Sequence, residues 1–253
     1  MTDTAGHAPV ARLAELLRGA GRVVALTGAG ISVPSGIPDF RTPGTGIWQN
    51  VDPMEVAHIE AFHRDTKRFW EFYRPRFDTL ADKLPNPAHE ALAELERRGI
   101  LEAVITQNID RLHRKAGSRR VIEVHGSIAT SSCTGCGETY ALERVPELFD
   151  DGIAVCAGCR GKVKPDVVLF GELLPEPAMA EAEALSRSAD LLLCVGSSLE
   201  VYPVAGLPEL TLAGGGELAI VTRSRTAYDD AAAVKLDGDV VAELGAVVAA
   251  LDR

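Results

Sequence analysis

Residues 22–36 read RVVALTGAGISVPSG, and this stretch gives the strongest indication of the fold. Its first part, RVVALTG, predicts a buried β-strand, because a short unbroken apolar run is typical of a strand covered on both faces. Gly28, Ala29 and Gly30 then form a loop in which backbone N–H groups can approach a pyrophosphate closely. Val33 stands where a dinucleotide fingerprint has its third glycine, so a tight turn without a ligand is the alternative.

The continuation of this stretch, ISVPSGIPDFRTPGTGIW, predicts a long loop. Pro34, Gly36 and Pro38 prevent a regular helix from starting there. Long loops that are rich in polar and aromatic side chains are frequently functional. We therefore expect a dinucleotide site covered by a flexible lid. The loop supplies the candidate cofactor contacts Ser32, Asp39, Phe40, Arg41 and Trp48.

Further apolar strands alternate with helical patterns, which predicts βαβ units and a mainly parallel sheet. Strands are predicted at residues 22–28, 103–107, 121–126, 166–170, 190–196 and 217–222. Helices are predicted at residues 8–19, 54–83, 86–99, 109–117, 177–189 and 239–251. Residues 45–84 and 128–163 interrupt the alternation, and we expect both segments to pack beside the main domain as insertions.

Polar residues follow the second predicted strand in the stretch TQNID (106–110). In open α/β sheets ligands bind beyond the carboxyl ends of the strands, so Asn108 and Asp110 could contact a ribose, a carboxamide or a water. A helix cap is the alternative use of these two side chains. His125 ends the next strand, and its pKa range makes it the default general base, although a structural histidine is the alternative.

Two later stretches, KPDVVLFGE (164–172) and GSSLEVYP (196–203), also run from a strand into a loop. We expect them at the same sheet edge as the glycine loop. Small Gly and Ser residues at 196–198 would let a nucleotide approach closely. A buried strand that ends in an ordinary turn is the alternative for each stretch.

Four of the five cysteines form two Cys-x-x-Cys pairs, Cys133/Cys136 and Cys156/Cys159, with 19 residues between the pairs. This spacing fits a tetrahedral zinc site of four thiolates, which leaves no open position for substrate and is therefore structural. Two disulfides are disfavoured in a cytoplasm, and a redox Cys-x-x-Cys would explain only one pair. Cys194 lies in the apolar run LLLCV and is expected to be a small buried hydrophobe.

Composition excludes several classes of protein. The chain has 253 residues, of which 46% are hydrophobic and 25% charged, as in an ordinary soluble globular protein. It has 26 Lys and Arg against 36 Asp and Glu, a net charge of −10, which argues against nucleic acid as the main partner. The sequence contains no run of 18 apolar residues and no recognisable secretory signal, so we expect a cytoplasmic protein without membrane spans.

Taken in chain order, these motifs resemble the sirtuin family of NAD-dependent protein deacylases. The matching stretches are GAGISVPSGIPDFR, TQNIDRLH, VIEVHG, CTGC…CAGC, KPDVVLFGE and GSSLEVYPVAGLP. The resemblance implies an α/β fold, a Rossmann-like parallel sheet with a small inserted zinc-ribbon and helical module. The Rossmann-like domain would comprise residues 1–44, 85–127 and 164–253. The small domain would comprise the helical insertion 45–84 and the zinc-ribbon insertion 128–163.

The resemblance also assigns roles to individual residues. His125 would be the general base, with Asn108 and Asp110 as its catalytic partners, and a structural Zn²⁺ would bind the four paired cysteines. NAD, consumed as a co-substrate, would be held by Gly28, Ala29, Gly30, Ser32, Asp39, Phe40, Arg41, Trp48, Gln107, Asn108, Ile109, Asp110, Gly196, Ser197, Ser198, Thr222, Ser224 and Val240. An acyl-lysine segment of another protein would bind as an added β-strand between Val168, Phe170, Gly171, Glu172, Leu199 and Val201.

In the family's reaction, the acyl oxygen of the modified lysine displaces nicotinamide at the ribose C1′. His125 would then draw a proton through the 3′-OH, so that the 2′-OH attacks the imidate carbon. The products are the free lysine, nicotinamide and 2′-O-acyl-ADP-ribose. The chain departs from the family pattern at IVTRSRT (220–226), where Thr222 replaces the usual strand-end Asn that contacts the adenosine ribose.

Deacetylation is the activity that the motifs favour, and other activities stay open. Tyr73 and Arg76 form a Tyr-x-x-Arg pair like that of sirtuins that remove succinyl or malonyl groups, with Arg meeting the acyl carboxylate. Two exposed helix residues are the alternative reading of this pair. A protein mono-ADP-ribosyltransferase and a non-catalytic NAD-sensing module are the remaining alternatives.

Overall fold

The computed structural model describes residues 7–39, 44, 46–49 and 51–253, and the predicted lid residues Phe40 and Arg41 lie outside them. The strands are β1 Val23–Thr27, β2 Leu101–Thr106, β3 Val121–Glu123, β4 Gly126–Cys133, β5 Thr139–Ala141, β6 Phe149–Asp150, β7 Ile153–Ala154, β8 Val163–Val167, β9 Leu191–Val195, β10 Glu217–Val221 and β11 Val234–Leu236. The α-helices are α1 His7–Gly19, α2 Pro53–Val56, α3 Ile59–Arg64, α4 Thr66–Asp82, α5 Pro87–Arg97, α6 Leu112–Lys115, α7 Glu176–Ser188, α8 Leu207–Ala213 and α9 Val240–Leu251.

A six-stranded parallel sheet forms the centre of the molecule, in the order β11-β10-β9-β1-β2-β3. All residues of β1 and β9 are buried, which explains why both strands are continuous apolar runs. Helices α1, α5 and α9 cover one face of this sheet, and α7 and α8 cover the other. The predicted class, an α/β protein with a Rossmann-like parallel sheet, is confirmed.

Helix α5 shows how local sequence sets an element boundary. The Asn86 side chain accepts a hydrogen bond from the Ala88 N–H at 2.9 Å, and Pro87 occupies the first helical position, where no N–H is needed. The Asn86 N–H in turn donates to His89 Nδ1 at 3.3 Å, which completes a capping box. This cap also orients His89, whose ring lies inside the protein.

The stretch KPDVVLFGE corrects one expectation. We expected a strand at 166–170 at the edge of the parallel sheet, but Val163–Val167 pairs antiparallel with Gly126–Cys133 in a separate three-stranded sheet. Buried and half-exposed residues alternate along Val163–Val167, as in a strand with one face against a core. The predicted strand 121–126 likewise ends at Glu123, so His125 lies in the connection between two sheets.

The small module has its own hydrophobic core beside that second sheet. The large buried aromatic side chains come from α3 and α4 and pack around Trp70, which meets Phe69 and Phe149 edge to face. The core also includes Cys133 and Cys156. The predicted helical segment 54–83 is thus realised as three helices, α2, α3 and α4. In the described part of the chain, no helix has the length and apolar character needed to cross a membrane.

Candidate active site and metal centre

A cavity of about 370 Å³ opens at the carboxyl ends of β1, β2, β9 and β10. This is the edge at which open α/β sheets bind ligands. Its lining comes from the loops that follow these strands and from the connection after β3. The lining residues are Gly28, Ala29, Gly30, Asp39, Gln107, Asn108, His125, Gly196, Ser197, Ser198, Glu200, Val201, Thr222, Ser224 and Arg225.

Most of these residues were predicted from the sequence, and two were not. Glu200 and Arg225 line the cavity beside predicted residues, inside the quoted stretches GSSLEVYP and IVTRSRT. The sequence feature that could have identified both residues is a charged side chain beside predicted site residues. Val240 is predicted as a cofactor contact, but it is buried in the core on the α1 face of the sheet and is not part of the lining. Trp48 stacks on Phe72 with ring centroids 6.3 Å apart.

Two glycine loops meet at the floor of the cavity. The Gly30 N–H donates to the Gly196 carbonyl at 2.8 Å. Gly196 has a φ of +60°, and a Cβ there would lie 2.2 Å from the Ile31 nitrogen. No other residue fits so close a backbone approach. Gly196 thus allows the loops after β1 and β9 to touch. The predicted role of residues 196–198, close approach of a nucleotide, stays a prediction.

Ser32, Asn108 and Asp110 form one buried hydrogen-bond network under the cavity. Asn108 Nδ2 donates to Ser32 Oγ at 3.1 Å and to the Gly28 carbonyl at 3.1 Å. Ser32 Oγ donates to Asp110 Oδ2 at 2.7 Å. Burial raises the pKa of Asp110, while the Leu112 N–H and the Ser32 hydroxyl lower it. The three predicted residues therefore act as one rigid unit.

Two buried histidines, His89 and His113, lie next to this network, and the sequence patterns did not single them out as site residues. His89 Nδ1 accepts from the Asn86 N–H, so the neutral ring carries its proton on Nε2, which lies 3.3 Å from Ser32 Oγ. His113 Nε2 lies 2.9 Å from Thr27 Oγ1. Burial lowers the pKa of His89 to about 4 and that of His113 to about 3. Both rings are therefore neutral at pH 7.

His125 presents one ring nitrogen to the cavity. Its Nδ1 lies 3.1 Å from the Gln107 carbonyl oxygen, which can only accept, so Nδ1 carries the proton and Nε2 is left as the base. Burial lowers the pKa of His125, and the Gln107 carbonyl opposes that shift. Gln107 Nε2 donates to Ser197 Oγ at 2.9 Å, which ties the loops after β2 and β9 together.

The predicted peptide-binding segment follows β8 and is anchored to two neighbours. The Val168 N–H donates to the His125 carbonyl at 2.9 Å, and the Phe170 N–H donates to the Ala57 carbonyl at 2.8 Å. Glu172 Oε2 accepts from the Leu169 N–H at 2.8 Å and pairs with Lys164 Nζ at 3.0 Å. Gly171 has a φ of +86°.

Across from this segment, Val201 lines the cavity and Leu199 is buried with a φ of +53°. Ile109, a predicted cofactor contact, packs against the aromatic core of the small module. The Ile109 carbonyl accepts from the Ile128 N–H at 3.1 Å. This residue therefore connects the loop after β2 to the second sheet.

Tyr73 and Arg76 lie on α4, outside the lining of the cavity. Tyr73 packs on Phe69 and Phe77 with ring centroids 4.5 and 5.3 Å away, and burial raises the pKa of its phenol. The Arg76 guanidinium lies 3.5 Å from the centroid of the Phe72 ring, and it donates to the Phe72 carbonyl. Both residues are half-buried rather than exposed.

The four paired cysteines come together as the spacing predicted. Their Sγ atoms all lie within 4.8 Å of one another, with Cys133–Cys159 at 3.4 Å and Cys136–Cys156 at 3.7 Å. A tetrahedron with Zn–S bonds of about 2.3 Å has edges of about 3.8 Å, whereas a disulfide needs about 2.05 Å. The geometry therefore fits zinc and excludes disulfides. Four thiolates are the donor set of a structural site.

Known proteins resemble this chain over most of its length. The model of the Sir2 family matches residues 28–203. An NAD-dependent protein deacetylase of Thermotoga maritima is 44% identical over 90% of this chain and 92% of its own length. NAD-dependent protein deacylase 2 of Archaeoglobus fulgidus is 46% identical over 96% of both chains.

Solved structures agree with this relationship. A Sir2 with a deacetylated p53 peptide and 3′-O-acetyl ADP ribose has a TM-score of 0.90 and 42% identity, over 94% of this chain and 96% of its own. A Sir2 with a p53 peptide and NAD⁺ has a TM-score of 0.87 and 43% identity, over the same shares. The ordered motifs, the parallel sheet with its glycine-loop cavity and the four-cysteine centre are thus accounted for together, and the chain belongs to the Sir2 family.

Proposed function

We propose that this protein is an NAD-dependent protein lysine deacylase, with acetyl-lysine as its main substrate. It releases nicotinamide, the free lysine and 2′-O-acyl-ADP-ribose. The observation that carries the proposal is the meeting of two glycine loops and the free Nε2 of His125 in one cavity. Relatives named NAD-dependent protein deacetylase, and Sir2 structures that hold acetylated or propionylated peptides, support it.

In this proposal the glycine loops hold the NAD pyrophosphate. The chain has a net charge of −10, so its overall field does not attract the dianionic pyrophosphate of NAD⁺. The N–H groups of Gly28 and Gly30 already donate to the carbonyls of Val195 and Gly196. Binding then depends on the backbone N–H of Ala29 between them, together with Arg41 of the lid. The contact between Gly30 and Gly196 supports this role, because it keeps the floor of the cavity free of side chains.

Asn108, Ser32 and Asp110 position the nicotinamide half of NAD. Their mutual hydrogen bonds fix the carboxylate and the amide in one orientation, so the carboxamide and ribose of the cofactor meet rigid partners. Ile109 and Gln107 complete this side. An acyl oxygen is a poor nucleophile, and rigid positioning at C1′ supplies much of the rate that attack on C1′ requires.

His125 accepts the proton that is released when the ribose 2′-OH attacks the imidate carbon, the step that follows loss of nicotinamide. Because Nδ1 is engaged by the Gln107 carbonyl, Nε2 is the only ring nitrogen available to a ribose hydroxyl. The lowered pKa favours the neutral ring, whose Nε2 lone pair can accept a proton. His125 takes a proton from the 3′-OH, which in turn takes the proton of the 2′-OH. The 2′-oxygen then attacks the imidate carbon.

The peptide binds beside Val168, Phe170, Gly171 and Glu172 and opposite Leu199 and Val201, as an added β-strand. The Val168–His125 hydrogen bond supports this placement, because it fixes the peptide-binding segment against the residue that carries the base. The structural Zn²⁺ holds the second sheet, from which that segment departs.

We further propose the division into a Rossmann-like domain of residues 1–44, 85–127 and 164–253 and a small domain of 45–84 and 128–163. The separate hydrophobic core around Trp70 supports it. A cytoplasmic location is also part of the proposal. The five unbridged cysteines support that location, because thiols stay reduced there.

The test is NAD-dependent nicotinamide release on a panel of acetyl, propionyl, succinyl and unmodified lysine peptides, with products identified by mass spectrometry. We expect release only with acyl peptides, and a 10²- to 10⁴-fold lower rate in His125→Ala, about what removal of a general base costs. His63→Ala, on an exposed histidine of α3, is the matched control and retains the rate. ADP-ribose transfer to protein without acyl-lysine would instead identify an ADP-ribosyltransferase. Unchanged biological activity of His125→Ala would identify an NAD-sensing module.

One observation favours a second acyl specificity. The half-buried Arg76 guanidinium has no carboxylate partner among the described residues, and it is held only by the Phe72 ring and carbonyl. A succinyl or malonyl carboxylate would supply that partner. Arg76→Met should then abolish desuccinylation and spare deacetylation, whereas equal loss of both activities would contradict this specificity.

A further inference from the structure

We propose that the adenosine end of the cavity accepts a 2′-phosphorylated ribose, so that NADP⁺ serves as an alternative co-substrate to NAD⁺. The inference rests on the proposed function and extends it to the second ribose of the dinucleotide. The residues that carry it are Thr222, Ser224 and Arg225, which follow β10 and line the cavity.

The order of the strands identifies this end of the cavity. His125 and Asn108, which serve the nicotinamide ribose, follow β3 and β2. Thr222 follows β10, which is separated from β2 by β9 and β1. Neighbouring strands are about 4.8 Å apart, so β10 lies about 14 Å from β2 across the sheet. The adenosine half of a dinucleotide whose nicotinamide lies at His125 must therefore extend towards β10.

The groups at the end of β10 are those that suit a phosphate. Nucleotide sites that take a free 2′-hydroxyl place a carboxylate after the strand, and those that take a 2′-phosphate place an arginine nearby. Here the strand is followed by Thr-Arg-Ser-Arg. Thr222 is a short hydroxyl side chain that is only 6% exposed, and Ser224 donates its N–H to the Thr222 Oγ1 at 3.4 Å.

The carboxylates near the end of β10 pair with other cations, so the Arg225 guanidinium is available to bind a phosphate. Arg223 pairs with Asp239 at 3.3 Å, and Asp239 also caps α9 through the Val241 N–H. Lys235 pairs with Asp229 at 2.6 Å. Within the described residues, Arg225 has neither an ion pair nor a hydrogen bond, although it is exposed and lines the cavity.

The two other acidic groups in reach do not occupy this position. Glu200 shares the lining but accepts a hydrogen bond from Ser198 at 3.1 Å, in the loop after β9. Asp237 follows β11 at the same sheet edge and is exposed, but it is not part of the lining. Among the described residues at the β10 end, Arg225 is thus the charged group that lines the cavity and is available to a nucleotide.

A guanidinium recognises phosphate oxygens with two parallel N–H donors, and it keeps its charge at every working pH. Because Arg225 is exposed, a 2′-phosphate that it binds would keep part of its hydration. The net charge of −10 opposes the more anionic dinucleotide, but salt at physiological concentration screens charges beyond about 8 Å. The local contact therefore decides the preference.

The reaction itself is the same with either dinucleotide. The acyl oxygen forms a bond to C1′ of the nicotinamide ribose as the bond to nicotinamide breaks. The 2′-OH, whose proton passes to His125, then attacks the acyl carbon, and the bond from that carbon to the lysine nitrogen breaks as the protonated amine leaves. Water adds to the same carbon and supplies the ester carbonyl oxygen, while the bond from that carbon to the C1′ oxygen breaks. The 2′-phosphate lies on the other ribose and takes no part. The expected product is acyl-ADP-ribose that still carries the adenosine 2′-phosphate.

The experiment compares kcat/KM for nicotinamide release with NAD⁺ and with NADP⁺, using one acetyl-lysine peptide. Mass spectrometry must detect the phosphorylated product, because traces of NAD⁺ in NADP⁺ yield only the unphosphorylated one. We expect turnover of NADP⁺ by the wild-type protein. Arg225→Ala should lower the ratio of NADP⁺ to NAD⁺ efficiency about tenfold, the typical worth of one charged hydrogen bond.

Arg223→Ala is the matched control, since it removes the same charge from a residue already paired with Asp239. It should leave the ratio unchanged. Calorimetric binding of ADP-ribose and of 2′-phospho-ADP-ribose gives a readout that needs no catalysis, and Arg225→Ala should weaken only the second. Turnover of NAD⁺ without binding of 2′-phospho-ADP-ribose would overturn the inference, as would equal effects of the two arginine variants. Failure with both dinucleotides would instead contradict the proposed function.

Discussion

In the parallel sheet all residues of β1 and β9 are buried, whereas in the small antiparallel sheet buried and half-exposed residues alternate along β8. The parallel sheet has helices on both faces and two hydrophobic clusters. Among the described residues, the small module has one hydrophobic cluster and a cluster of four thiols. The first region is stabilised by buried apolar surface, and the second combines a small core with a metal centre.

The comparison matters because the candidate base lies between the two regions. His125 follows the last strand of the parallel sheet, and Gly126 begins the second sheet. The His125 carbonyl accepts from the Val168 N–H beyond β8. The two strands that flank the metal centre thus both hold the backbone of His125: β4 begins at the next residue, and the residue after β8 donates a hydrogen bond to the His125 carbonyl. The position of His125 therefore depends on the folding of both regions.

The largest expected effect comes from removing zinc, because metal binding and folding of a small thiolate site are one process. A strong chelator, or Cys156→Ser, should make residues 128–163 sensitive to proteolysis and abolish deacylation, while the parallel sheet keeps its secondary structure by circular dichroism. Cys194→Ala, on the cysteine buried in β9, is the control and should retain zinc. Full loss of secondary structure after zinc removal would show that the regions are not separable.

Acid should destabilise the parallel sheet by a different mechanism. His89 and His113 have pKa values of about 4 and 3 in the folded protein, against about 6.5 when unfolded. The unfolded state therefore binds more protons between these values, so stability is complete above pH 6.5 and falls as the pH drops towards 3. The two shifts together amount to about six pKa units, so at 1.36 kcal/mol per unit the full loss is about 8 kcal/mol.

Urea unfolding between pH 7.5 and pH 4, with excess zinc present, measures this effect. The excess zinc opposes the competition of protons for the thiolates, so the remaining pH dependence reports the parallel sheet. His113→Gln removes one of the two groups and should flatten the curve. An unchanged slope in that variant would contradict the assignment to buried neutral histidines.

A cavity in the parallel sheet should cost less, and it should leave the metal centre intact. Leu193 is fully buried in the middle of β9, so Leu193→Ala should lower the free energy of unfolding by about 2–5 kcal/mol. The zinc content of the purified protein should not change. Leu84→Ala, on a residue that is 74% exposed, is the control and should stay within about 0.5 kcal/mol. Zinc loss in Leu193→Ala would show that the two regions are coupled.

The smallest effect is expected where the peptide-binding segment is attached to β8. Lys164 pairs with Glu172 at 3.0 Å, and their side chains are 13% and 26% exposed. Lys164→Met removes the ion-pair partner of the Glu172 carboxylate, which keeps its hydrogen bond from the Leu169 N–H, at a cost of about 1–2 kcal/mol. We expect about a tenfold higher KM for the acyl peptide and an unchanged KM for NAD⁺. Lys164→Met with Glu172→Gln should recover part of the loss, and equal changes in both KM values would rule out a role in peptide positioning.

Sequence patterns were sufficient for features that depend on neighbours along the chain. The cysteine spacing predicted the cluster of four thiols, and the apolar run before Gly28 predicted the central strand. The helix predicted from residue 86 begins at Pro87, where Asn86 caps it. Each of these depends on backbone geometry or on ligand type within a few residues, which a local pattern records.

Features that depend on distant pairing could not be obtained in this way. Residues 163–167 have the apolar character of a sheet strand, but only the pairing with β4 determines to which sheet they belong. His89 fits the pattern of a helix face, and only the tertiary structure brings its Nε2 to Ser32, 57 positions earlier in the chain. Arg225 is one arginine among several until the neighbouring ion pairs are known.

The sequence by itself therefore determined the parallel sheet, the metal ligands and the strand-end candidates for the site, because periodicity, glycine placement and cysteine spacing act locally. Only the tertiary structure decided that His125 has Nε2 as its basic nitrogen, that Val240 belongs to the core, and that Arg225 lines the cavity without a partner. The physical reason is that hydrogen-bond partners, burial and charge pairing are set by residues far apart in the chain.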